Sequence, residues 1–157
     1  MKRMYAIAVA AVALAAVIAP VGALAAQTDP GTSDPNAKAD FHGSIKVGRT
    51  HATLKVTYNC NAGQVLWISA KEMKNGKANK ALSKEGSSKK ADAWWQSHRN
   101  PITCDGQSHT ATFSMDKKEP GSKGKLVNGS AWVQFCVTNG GANDLVLSAH
   151  DFVKVKA

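Results

Sequence analysis

Beyond residue 43 hydrophobic and polar positions alternate with a period of two, and each alternating run is cut by turn formers. Ile45 and Val47 alternate with Lys46 and Gly48, and Leu54, Val56 and Tyr58 alternate with Thr53, Lys55 and Thr57 before the chain reaches Cys60. Asn61-Ala62-Gly63 predicts a turn into Val65–Ala70, a more continuously apolar run that suits a central strand covered on both sides. His109 to Met115 puts Ala111, Phe113 and Met115 on one side and Thr110, Thr112 and Ser114 on the other. Asn128-Gly129 precedes a long run from Ser130 to Thr138; Asn139-Gly140-Gly141 turns into Asp144–Ala149, and Phe152, Val153 and Val155 close the pattern. No helical stripe interrupts these runs, so the expected class is all-β.

The first residues break from this pattern. Met1, Lys2 and Arg3 precede an apolar run from Ala6 to Ala19, followed by Pro20, Gly22 and the small residues Ala23-Leu24-Ala25-Ala26. Charged, apolar and cleavage regions in that order predict a secretory signal peptide over 1–26, cut after Ala25 or Ala26. A membrane anchor needs roughly 20 apolar residues and a basic stop, which this run lacks. No Cys stands at the start of the mature chain, so a lipid anchor at the cut is not expected. Residues 27–41, with Asp29-Pro30-Gly31 and Asp34-Pro35-Asn36, read as a flexible tail, and 42–157 as one domain whose fold starts near Phe41.

About seven short strands, a Cys near the second and a Trp on the third describe an immunoglobulin-like β-sandwich, with a small barrel as the alternative. Sandwiches of this type bury the third-strand Trp, so Trp67 is expected in the core.

Removing Lys2 and Arg3 lowers the formal charge from +9 to +7, and the remainder is uneven. Lys71, Lys74, Lys77, Lys80, Lys84, Lys89 and Lys90 face only Glu72 and Glu85 within one stretch. Such a block reads first as a solvated, mobile segment and second as an anion-binding surface.

Cys60, Cys104 and Cys136 allow three pairings. Outside the cytoplasm one bridge is expected, and Cys60 with Cys104 is favoured because one ends a predicted strand and the other opens one. Cys136, inside Trp132–Val137, then reads as a buried small hydrophobe rather than a reactive thiol.

Leu54-Lys55-Val56-Thr57-Tyr58-Asn59-Cys60 and Cys104-Asp105-Gly106-Gln107-Ser108-His109 carry a resemblance. The chain from Gly43 to Val155 resembles the small secreted Ig-like domains of unknown function of Gram-positive soil bacteria, which pair a Tyr-x-Cys with a Cys-Asp-Gly. The resemblance implies the Cys60–Cys104 bridge and a sandwich, and no activity. Cys136 and the length of the lysine-rich loop depart from it.

Catalytic and cofactor chemistry has no pattern to rest on. His42, His51, His98, His109 and His150 form no His-Glu-x-x-His, the cysteines no Cys-x-x-Cys, and Gly-x-Ser-x-Gly is absent. Ser87-x-x-Lys90 and Ser122-x-x-Lys125 lack the accompanying Lys-Thr-Gly, and His150-Asp151 would point to opposite faces of a strand. No catalytic residue, metal ligand or cofactor is therefore expected; a pocket gathering His98, His109 and a carboxylate would reopen the question. The candidate binding residues are Trp94 and Trp95 with Lys71, Lys74, Lys77, Lys80 and Arg99, since aromatic faces beside cations hold sugars and anionic polymers. Strand alternation would send the two tryptophans to opposite faces. The expected function is a secreted or envelope-located, non-catalytic binding module for an anionic cell-wall polymer or an extracellular protein. Nucleic acid is not indicated, nor is a membrane span after signal cleavage. The alternative is an inhibitor presenting Lys71–Lys90 or Pro120–Lys125 to an extracellular enzyme.

Overall fold

A computed structural model describes residues 24–25, 27–28, 32–84, 87, 90–118, 122, 124–141 and 144–157. The expected signal segment lies outside them except for Leu24–Ala25, as does most of 119–123. The described chain is all-β: β1 (Leu24–Ala25), β2 (Gln27–Thr28), β3 (Lys38–Val47), β4 (Ala52–Asn59), β5 (Val65–Glu72), β6 (Ala93–Ser97), β7 (His109–Met115), β8 (Lys117–Lys118), β9 (Gly129–Thr138) and β10 (Leu145–Lys156), with a 3-10 turn at Lys80–Ser83. The strands hydrogen-bond in the order β7-β4-β3-β10-β9-β5-β6-β8, with β1 on β3 and β2 on β10. Among the described residues no helix is long and apolar enough to cross a membrane.

This sheet folds over on itself. In a flat sheet β7 and β9, four steps apart, would be roughly 19 Å from each other. Instead the Phe113 and Phe135 rings stand 5.2 Å apart, and Tyr58 on β4 lies 5.7 Å from Phe135. The result is two facing layers, sandwich-like, filled by the inward residues of each strand. Leu54, Val56, Phe113 and Met115 come from one side, and Leu66, Ile68, Val133, Phe135, Val137, Leu147 and Val153 from the other; all are buried. β3 joins the layers. It runs antiparallel to β4 from Lys38 to His42, its ladder breaks between His42 and Lys46, and there Ser44–Lys46 pair in parallel with Lys154–Lys156 of β10. Gly43, at φ 71°, takes the left-handed conformation at the break.

Cys60 and Cys104 form the expected disulfide, with Cα atoms 4.7 Å apart. Cys104 does not open a strand; it lies five residues ahead of β7 in a segment outside any strand, which Tyr58 secures by accepting the Thr103 N–H at 3.3 Å. Gly63 packs on the bridge at φ 140°, and a Cβ there would stand 2.3 Å from Val137 Cγ1 and 3.0 Å from the Cys104 sulfur. Gly63→Ala is expected to cost more than about 1 kcal/mol, read as a lower urea midpoint at unchanged slope.

Three expectations are corrected. The fold begins before Phe41: Ala37, Ala39 and Phe41 are buried, and the Asp34 carboxylate accepts from the Asn61 N–H (2.9 Å), the Asn61 side-chain amide (3.0 Å) and the Asn36 N–H (3.0 Å). The Asn61 N–H above all holds Asp34 below the usual carboxylate range, so the 32–41 part of the supposed tail is built into the fold. Trp67 lies outside the core, because Leu66, Ile68 and Ala70 take the inward positions of β5. The Lys71–Lys90 block is not a wholly solvated segment. Lys71 and Glu72 end β5 and are buried, Leu82 and Ser87 are buried as well, and Asn79 caps the 3-10 turn through the Ala81 N–H.

Candidate binding surface

The register of β6, β5, β9 and β10 stacks their outward residues in rows. Trp94, Lys71, Trp132 and Phe152 form one row; Gln96, Ser69, Gln134 and His150 the next; Trp67, Cys136 and Ser148 the third. Aromatic rings thus flank a polar band. Trp132 contacts the rings of His150 at 4.9 Å and Phe152 at 5.0 Å. Lys71 Nζ lies 5.0 Å over the Trp94 ring and donates to Gln134 Oε1 (2.9 Å) and Ser87 Oγ (3.1 Å). Burial pushes its amine below the ordinary lysine range. Within these first two rows the indole N–H groups of Trp94 and Trp132 and the Ser69 hydroxyl are buried without a hydrogen-bond partner.

The face opens at the third row into a cleft of about 440 Å³, lined by Val65, Trp67, His98, Cys136, Thr138 and Leu145 beside the Gly140–Gly141 turn. Trp67 donates its indole N–H to Gln96 Oε1, which fixes the ring plane, and His98 stacks on it at 6.1 Å. Trp67 is half-buried and His98 exposed, so the stacked pair is both rigid and reachable. Cys136 lies at the cleft, 9% exposed, with its sulfur 3.8 Å from Ser148 Oγ. It is buried as expected, but on the outer face and not in the main core.

The candidate residues disperse. Trp94 and Lys71 meet on this face, whereas Trp95 is 3% exposed within the core, with Lys118 Nζ 5.3 Å over its ring. Trp95 is therefore no exposed binding residue: on β6 the inward positions are Ala93 and Trp95, and Trp94 takes the outward one. Lys74, Lys77 and Lys80 are exposed beyond the end of β5, and Arg99 is exposed and pairs with Asp116 at 3.3 Å. Reading the sequence missed Trp67, His98, Trp132, His150 and Phe152. For Trp132, His150 and Phe152 the available signal was parity, since Trp132-x-Gln134-x-Cys136 and His150-x-Phe152 each recur at the spacing of one strand face.

His98 and His109 serve different structures. His98 stacks on Trp67, while His109 Nε2 meets Asp105 Oδ1 at 2.8 Å and its ring lies 5.7 Å from Tyr58. That bond holds Asp105 below the usual carboxylate range. Among the described residues no three His, Cys, Asp or Glu side chains are grouped to hold a metal ion. No protein-family model, curated protein or solved structure matches the chain.

Proposed function

We propose that the chain is an exported, non-catalytic binding module that takes an elongated anionic polymer of the cell envelope along the outer face of β6, β5, β9 and β10. The carrying observation is the fixed Trp67–His98 stack over its open cleft, at one end of β5, with exposed Lys74, Lys77 and Lys80 beyond the other. From Trp67 the strand runs five residues to Glu72, roughly 17 Å, before the turn that carries Lys74, a span that suits several units of a polymer better than one small molecule. An aromatic platform supplies contact area and orientation, and the lysines supply attraction for negative charge.

Export is supported by the ordered charged, apolar and small-residue regions of 1–26 and by the Cys60–Cys104 bridge, since disulfides persist in oxidising compartments. An immunoglobulin-like topology, and with it the kinship to the small secreted domains of Gram-positive soil bacteria, belongs to the same reading. Its supports are the two facing layers and the parallel pairing of β3 with β10.

The test is binding to purified cell wall carrying anionic polymer, followed by tryptophan fluorescence and sedimentation. Trp67→Ala is expected to weaken binding about tenfold, the equivalent of one ring contact worth roughly 1.4 kcal/mol. Neutralising Lys74, Lys77 and Lys80 together is expected to weaken it further and to flatten its salt dependence. Undiminished binding by both variants would sink the proposal.

A further inference from the structure

The opposite layer carries a second concavity, in which cations and hydroxyls converge. Where the β3–β4 ladder breaks at Gly43, the surface dips into a cleft of about 400 Å³ lined by His42, Gly43, Ser44, Lys46, Thr53, Lys55 and Thr112. The register explains the gathering. His42, Lys55 and Thr112 lie side by side across β3, β4 and β7, and Lys46, Thr53 and Ser114 form the next row. Each side chain lining the cleft can donate a hydrogen bond, and among the described residues no carboxylate lines it. Asp40 is one row away, opposite Thr57. His42 is held in place by Thr57, Nε2 to Oγ1 at 2.7 Å, and Thr57 in turn by Thr110 at 2.7 Å. Among the described residues neither Lys46 nor Lys55 enters an ion pair. Lys46 and Lys55 thus bring two exposed ammonium groups to neighbouring strands beside the His42 imidazole, where a bound anion could meet both.

We infer that this cleft is a binding site for a tetrahedral oxyanion, the phosphate group of an ester or diester. A phosphate presents acceptor oxygens in several directions. Lys46 and Lys55 supply point charges from the two rows, and the Ser44, Thr53 and Thr112 hydroxyls supply neutral donors between them. A carboxylate, with two oxygens in one plane, would leave part of this donor set without an acceptor. The site is separate from the Trp67–His98 face and does not depend on the polymer proposed for it.

The experiment is a titration of the whole protein with inorganic phosphate, and separately with diethyl phosphate, followed by amide and imidazole NMR shifts, with acetate at equal ionic strength as the control. Saturable shifts confined to His42, Ser44, Lys55 and Thr112 are expected with phosphate, with acetate at least tenfold weaker. Comparable binding of diethyl phosphate would identify the source as a phosphodiester chain, and preference for the inorganic ion a free phosphate or monoester. Lys46→Gln with Lys55→Gln is expected to weaken phosphate binding at least tenfold. Thr112→Val, a volume-matched change at an exposed strand position, is expected to weaken it with the fold intact by circular dichroism. Neutralising Lys74, Lys77 and Lys80 should leave phosphate binding unchanged, so that failure of the polymer proposal and failure of this one are told apart. Shifts spread over all surface lysines, or equal affinity in the Lys46/Lys55 double variant, would overturn the inference.

Discussion

Replacing Cys60 and Cys104 together by alanine is expected to cost about 4 kcal/mol of folding stability. The bridge closes a loop 44 residues along, and the chain-entropy relation for a loop of that length gives about 4 kcal/mol. Location adds to the effect. The segment from Pro101 to Ser108 contains no strand and hangs on the bridge, on the Tyr58 hydroxyl and on the Gly106 N–H bonded to the Cys60 carbonyl at 2.9 Å. Equilibrium urea unfolding of the double variant against the oxidised protein measures the loss. A difference under about 1 kcal/mol would mean that the packing of Gly63 and Val137 holds this end of the layers without the bridge.

The second large effect lies with Glu72. Its side chain is fully buried at the end of β5, where Oε2 accepts the Val127 N–H at 2.6 Å and Oε1 has no partner. Burial raises its pKa from the ordinary 4.5 to about 7, against the opposing pull of that hydrogen bond. Between those two values the folded protein keeps a proton that the unfolded chain has released. Stability is therefore greatest below pH 4.5 as far as this group is concerned, falls as pH rises toward 7, and stays low above it. Glu72→Gln, neutral throughout and still able to accept from Val127, is expected to be about as stable as the natural protein near pH 4.5. At pH 8 it should be roughly 2–3 kcal/mol more stable. Urea midpoints at the two pH values decide the matter; parallel profiles for the two proteins would refute it.

Glu72 also illustrates what the sequence could and could not reveal. Where polar residues alternate strictly with apolar ones, as in Thr53–Tyr58 and His109–Met115, the face of each side chain was legible and the core follows from it. Val65-Leu66-Trp67-Ile68 contains no such parity, so nothing in the run itself assigned Trp67 to the outer face. At Lys71-Glu72 the polar pair looked like the start of a loop; neighbours on β6 and β9 carry the strand two residues further and bury both. The opening of β3 was legible in principle, since Ala37, Ala39 and Phe41 alternate with Lys38, Asp40 and His42. The turn formers just before it and the small alanines obscured the pattern. The Cys60–Cys104 bridge forms as expected, although Cys104 precedes β7 by five residues and does not open it, so strand ends alone did not determine the pairing. Neither cleft was legible, because His42, Lys55 and Thr112, or Trp67 and His98, become neighbours only once distant strands are in register.

The place of β3 between β4 and β10 also governs when this protein can fold. Ser44 pairs with Lys154, more than a hundred positions further along the chain, so the joint between the layers is missing until β10 is available. Such distant pairing makes folding slow and leaves the early strands open in the meantime. Among the described strands, the two layers are therefore joined only when β10, Leu145–Lys156, takes its place beside β3.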